Sequence, residues 1–148
     1  MPIPPFTREG LLPGGVHDCS EEEILLRFGS FQSSDRRSKL FAQLASFLVE
    51  VRASGLVRWV VVDGSFVTAS PEPNDVDLIL VVAAEHDLAA DLAPFQYNIL
   101  SRIRVRKRFG FDIVAVREIT TEVYDAVSFF QQVRGRPHLS KGVVRLVL

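Results

Sequence analysis

Apolar residues fall along this chain in two periods, and the change of period marks the elements. Val57 to Val62 is dominated by β-branched and apolar residues, which predicts a buried strand. Asp75 to Val82 predicts a second strand, and Phe111 to Val116 a third. Gly142 to Leu148 reads as a final strand at a sheet edge. Between the strands the spacing turns helical. Ser20 followed by Glu23 matches a capping box ahead of Ile24, Leu25, Leu26 and Phe28, a short helix stopped by Gly29. From Ser34 to Ser54, Leu40, Leu44, Phe47, Leu48 and Val51 repeat on one face, with Gly55 as the stop. Ala83 to about Arg108 predicts one or two helices broken near Pro94. Thr121 to about Val133 predicts another, with Val123, Ala126, Val127 and Phe130 on its apolar face. The stretch from Ser65 to Asn74 is polar and contains prolines, so only Phe66 to Ala69 is expected to form a helical turn. Residues 1–19, rich in Pro and Gly, read as an extended arm. In it Phe6, Leu11, Leu12 and Val16 are the side chains available for burial.

A length of 148 residues suits one domain, here 20–148 behind the arm. At 47% hydrophobic and 24% charged, the chain can bury a core and does not resemble a disordered one. A net charge of −1 argues against coating nucleic acid by bulk charge, and leaves room for local basic patches. Two stand out: Arg102, Arg104, Arg106, Lys107 and Arg108, then Arg134, Arg136, His138, Lys141 and Arg145. Each reads first as a solvated face and second as a phosphate or nucleic-acid contact, with Lys141 the member placed to reach a site beside the last strand. Cys19 is the lone cysteine, so no intramolecular disulfide forms. That fits a cytoplasmic protein. No apolar run approaches the roughly 20 residues of a membrane span, and the first residues do not read as a signal peptide. His17, His86 and His138 lack zinc-type spacing, and Trp59 reads as core.

The chemistry concentrates around two aspartates. In a strand, Asp75 and Asp77 project to the same face at the start of an otherwise apolar run. Two carboxylates so close repel one another, and burial raises that cost, so the pair points to a bound cation. Asp112, 35 residues after Asp77, joins them if its strand is a neighbour. The ordinary alternative for Asp112 is a strand-end residue paired with Arg117 or Arg104. Magnesium takes oxygen ligands of this kind and shares them with phosphates and water. Upstream, Gly64 permits close backbone approach, and the Ser65 hydroxyl and following amides are candidate phosphate donors. Asp63, directly before Gly64, adds negative charge at the same place.

Gly64-Ser65 followed ten residues on by Asp75-Val76-Asp77 resembles the signature of the polymerase-β-like nucleotidyltransferases. Pro73 to Leu78 is especially similar to the minimal nucleotidyltransferases of prokaryotes, and the likeness spans about residues 35–120. The flanking segments, Leu12 to Asp18 and Lys141 to Leu146, look like a small bacterial family within that fold. The resemblance implies an α/β (α+β) fold, a small mixed sheet flanked by helices. It further implies transfer of a nucleotidyl group from a nucleoside triphosphate to a protein or RNA hydroxyl, with two magnesium ions, or manganese in their place. Asp75, Asp77 and Asp112 would be the catalytic and metal-binding residues, and Gly64, Ser65 and Thr68 the nucleotide-binding ones. Phe66 to Ser70 stand where many minimal members carry an Arg and a Gly. The same resemblance therefore carries an alternative: an inactive antitoxin-like or regulatory module that binds a toxin-like partner protein.

Overall fold

The computed structural model describes residues 3–30, 35–87, 89 and 91–148. Five strands form one mixed sheet: β1 (Gly15–Cys19), β2 (Val57–Asp63), β3 (Asp77–Val82), β4 (Asp112–Arg117) and β5 (Gly142–Val147), in the order β1-β5-β2-β3-β4. β1 runs parallel to β5, and β3 parallel to β4. β2 is antiparallel to both β3 and β5. The helices are α1 (Glu21–Ile24), continued by a wider turn over Leu25–Gly29, α2 (Arg36–Ser54), α3 (Pro94–Leu100), α4 (Arg102–Phe109) and α5 (Thr121–Phe130).

Strand periodicity sorts the apolar residues onto two faces. Val60, Val62, Leu78, Leu80 and Val82 face the larger core, built with Leu44, Phe47, Leu48 and Val51 of α2 and with Phe28, Phe66 and Phe111. Val61, Ile79, Val81, Val116 and Val143 face the other way, under Val123, Ala126, Val127 and Phe130 of α5. The second face thus has one helix over it. α5 buries no residue completely.

Local signals set the boundaries where the residues permit. Ser20 and Glu23 make both bonds of the capping box, each 3.1 Å. Gly55 closes α2 in the left-handed conformation, φ 69°. The expected start of α2 at Ser34 lies outside the described residues. Pro94, expected to break a helix, instead begins α3, a position where its missing N–H costs nothing. The described residues between Ala83 and Ala93 form turns and irregular backbone, and no helix.

Two expectations are corrected at the sheet margin. β5 is an interior strand, because the end of the arm supplies β1 outside it. Gly15 to Cys19 is too short and too polar for its pattern to announce a strand. Val16 on that strand is 39% exposed, whereas Leu12 is buried as expected. The arm also packs through Phe6, whose ring lies beneath the Arg27 guanidinium while Arg27 donates to the carbonyls of Ile3 and Pro4.

Arg37, fully buried in the first turn of α2, ties that helix to the polar connection after β2. Its Nη1 donates to the carbonyls of Phe28 and Phe66, and its Nη2 to those of Thr68 and Ser70. One rigid guanidinium therefore satisfies four carbonyls of segments with no ladder of their own. Arg37→Met is expected to cost about 3 kcal/mol or more, because it strands those acceptors out of water. Arg37→Lys is expected to recover little, lacking the forked geometry. Urea unfolding of the two variants against the parent checks both.

Candidate functional site

Register brings the aspartates together. The β2–β3 pairing sets Asp63 opposite Asp77, and the β3–β4 pairing sets Asp77 opposite Asp112. By the period of two, all three share the face of Val61, Ile79 and Val114, at the end of the sheet beyond α5. Asp75 lies two residues before Asp77, exposed. The expectation that the Asp112 strand neighbours the Asp77 strand is met, and the row includes a fourth carboxylate, Asp63.

The connection leaving β2 is locked to Asp75. Gly64 has φ 94°, and a Cβ there would lie 2.5 Å from the Asp75 carbonyl oxygen, so only glycine fits. The amide of Phe66 donates to that same carbonyl at 3.1 Å. Ser65 Oγ accepts from the amides of Asn74 and Asp75, 3.0 Å each. A 3₁₀ turn over Ser65–Val67 follows, where a helical turn is expected from Phe66 to Ala69. In it Val67 N donates to Gly64 O and Thr68 N to Ser65 O. Thr68 Oγ1 donates to Ser65 O at 2.7 Å. The amides of residues 66–68 and the Thr68 hydroxyl are therefore engaged inside the loop.

The side chains differ sharply in surroundings. Asp63 is 3% exposed and paired with Lys141, Nζ to Oδ2 3.2 Å. Burial pushes its carboxyl upward from the usual range, and Lys141 pulls it back. Its Oδ1 is buried with no hydrogen-bond partner among the described residues. Asp77 is pushed up to about 6, first by burial and then by the charges of Asp63, Asp112 and Asp75. Asp112 is turned to Arg106 of α4, Nη1 to Oδ1 2.7 Å, with more than half its side chain exposed. Neither Arg117 nor Arg104 is that partner: Arg117 pairs with Glu122, and Arg104 donates to Asn98.

Two cavities meet at Asp77. The larger, about 920 Å³, is lined by Asp63, Gly64, Ser65, Thr68, Asp75 and Asp77 and by the connection that ends at Lys141. The smaller, about 570 Å³, is lined by Asp112, Arg102, Asp125 and the start of β4. Asp77, Phe129 and Phe130 belong to both. Of the residues expected at the site, Gly64, Ser65, Thr68, Asp75 and Asp77 share the first cavity, and Asp112 opens onto the second. The sequence gives no sign of Arg37, of the pairing of Arg106 with Asp112 or of Phe129 and Phe130 at the cavities. Arg37 had no local signal, because its partners are backbone carbonyls. Phe130 sits on the apolar face of α5 as expected, yet it also borders both cavities.

The donor set suits a hard cation. Carboxylate oxygens are its preferred ligands, and burial together with the crowding of Asp63, Asp112 and Asp75 raises Asp77. In the conformation described, no group of three or more His, Cys, Asp or Glu side chains among the described residues stands close enough to hold a metal, and Asp112 is engaged by Arg106.

Fold and site together define a mixed α+β domain with a carboxylate-lined cavity at one end of its sheet. The chain belongs to the DUF6932 family, described as a family of unknown function, whose model matches residues 4–147. No curated protein and no solved structure matches it. Among the described residues no helix is long and apolar enough to cross a membrane.

The raised carboxyl of Asp77 has a measurable sign. A proton is held more tightly in the folded state, so stability rises as pH falls through about 6 and on toward the unfolded value of 3.8. The gain ends lower, where Glu50 and Asp18, both held below their usual values by arginines, begin to lose their pairs. Asp77→Asn is expected to raise the melting temperature at pH 7.5 by about 2–4 °C, on the order of 1 kcal/mol once the half-exposed side chain is discounted for screening. It should also flatten the rise as pH falls through about 6 toward about 4.5, which scanning calorimetry at several pH values reads directly. Gly64→Ala is expected to destabilise by about 2 kcal/mol or more, from strained φ and the clash with Asp75.

Proposed function

We propose that the protein is a metal-dependent nucleotidyltransferase that moves a nucleotidyl group from a nucleoside triphosphate to a protein or RNA hydroxyl. The observation that carries the reading is Asp77 at the junction of two cavities, one containing Gly64, Ser65 and Asp75 and the other Asp112. Such an arrangement suits two substrates meeting at one carboxylate pair. Asp75 and Asp77 would hold magnesium or manganese beside the triphosphate, with Asp112 as the third ligand. The ions, when bound, supply charge stabilisation for phosphoryl transfer. Gly64 gives the triphosphate room to approach the backbone, and Ser65, with its oxygen fixed by two amides, retains one O–H to donate. Asp112 would accept the proton of the acceptor hydroxyl once released from Arg106. Phe129, 67% exposed between the cavities, offers an apolar surface to whichever ligand enters.

One observation favours a second reading, a catalytically weak regulatory module that binds a partner protein. Asp112 is already paired, and the loop amides and the Thr68 hydroxyl are already bonded. Calorimetric titration separates the two. The first reading expects binding of a nucleoside triphosphate that requires magnesium and is lost in the Asp75→Ala/Asp77→Ala variant. A folded parent protein that binds none of the four triphosphates, with or without magnesium, would sink it and leave the binding module.

A further inference from the structure

We infer that the connection from Gln131 to Lys141, between α5 and β5, is the polyphosphate-binding element of this site, with Arg134 and Lys141 as its two cationic contacts. The inference rests on the nucleotidyltransferase reading for its ligand, and on the structure for its residues. A bound polyphosphate must be met by N–H or O–H donors, preferably charged ones. The turn after Gly64 has few to give. The amides of Phe66, Val67 and Thr68 donate to Asp75, Gly64 and Ser65 within the turn, and Thr68 Oγ1 donates to Ser65. The same wall carries Asp63, Asp75 and Asp77, which repel an anion.

Positive charge reaches the cavity from elsewhere. Arg134 and Lys141 are the only Lys or Arg among the described residues that line it. They sit at defined points of one closed loop. The amide of Lys141 donates to Gln131 O, and Gln132 bridges to Ser140, so the two ends are fastened together. Near the tip, Arg136 N donates to Val133 O across a turn with Gly135 at φ 76°, which puts Arg134 at its outer corner. Arg134 is exposed and has no ion-pair partner among the described residues. Lys141 is held by Asp63, which uses one of its three ammonium hydrogens and fixes where the charge stands. Asp63 is thus a positioning residue for Lys141. The rest of the basic cluster is placed otherwise: Arg136 and His138 do not line the cavity, and Arg145 is bound to Asp18. An exposed guanidinium and a more buried ammonium on one loop lining the cavity suit two points along a polyphosphate chain.

The test is calorimetric titration of the parent, Arg134→Gln and Lys141→Gln with magnesium-ATP and with magnesium-tripolyphosphate, each variant first checked by thermal melting. Lys141→Gln leaves Asp63 without its counter-charge and melts earlier, so exposed Arg134→Gln is the decisive variant. Its affinity should fall about tenfold, the value of one charge-assisted contact, and by the same factor for both ligands because base and ribose are not involved. Binding of both ligands by both variants within about twofold of the parent overturns the inference and leaves the nucleotidyltransferase reading standing. Capture of tripolyphosphate but not of any nucleoside triphosphate, weakened by Arg134→Gln, overturns the reading and leaves the loop as an anion site. A parent that binds neither ligand overturns both.

Discussion

The structure hangs on the closure between the turn after β2 and the backbone before β3. Gly64 lets two chain segments touch where any side chain would collide with the Asp75 carbonyl. Ser65 Oγ then takes two amides from the returning strand, and the Phe66 amide takes the Asp75 carbonyl itself. Arg37 holds the far side of the excursion through the carbonyls of Phe66, Thr68 and Ser70. These bonds set where Asp75 stands. They also fix the β2–β3 register that places Asp63 against Asp77. A slip of one residue in β3 would turn Asp77 into the larger core, where an ionised carboxylate without a counter-charge is costly.

That register creates a charge problem whose local solution defines the site. Four carboxylates crowd one corner of the sheet, and the chain brings cations to two of them. Lys141 reaches Asp63 from the residue just before β5 on one side, and Arg106 reaches Asp112 from α4 on the other. The two pairs are unequal. Asp63 is nearly inaccessible, so its link to Lys141 is poorly screened. Asp112 and Arg106 are each more than half exposed, and such a pair contributes about 0–1 kcal/mol. The Asp112 pair is therefore the one that a ligand can break cheaply. Asp77, between them, makes no ion pair among the described residues, and burial together with the charges of Asp63, Asp112 and Asp75 pushes it up to about 6.

Most of this fold could be read from spacing. Strands β2, β3 and β4 follow from β-branched runs, α2 from its apolar stripe and Gly55, and α1 from its capping box, because each signal is local. The sheet order could not be read. β5 was expected at an edge, and only the long-range pairing with Gly15 to Cys19 moves it inside. The aspartate pair was legible because two charges at the mouth of an apolar strand break the pattern around them. Its surroundings were not. Arg37 sits in the first turn of a helix where a basic residue normally faces water, and its burial depends on carbonyls brought from about thirty residues away. The Arg106 partner of Asp112 was equally hidden, since Arg104 and Arg106 differ only in which side of α4 they occupy.

A motif and the chemistry associated with it need not reside in the same atoms. Here the glycine and serine that make the pattern recognisable are committed to holding the backbone. Their neighbours' amides close a 3₁₀ turn, and the Thr68 hydroxyl caps it. A loop so internally satisfied is rigid, and rigidity is what two carboxylates need if they are to meet a cation at fixed spacing. The same satisfaction removes it as a source of donors. Charge complementarity then has to come from segments that the pattern does not cover, and the cations that reach this corner are carried by α4 and by the approach to β5. The turn accordingly acts as scaffold. The basic segments on either side carry the cations that stand nearest the carboxylates.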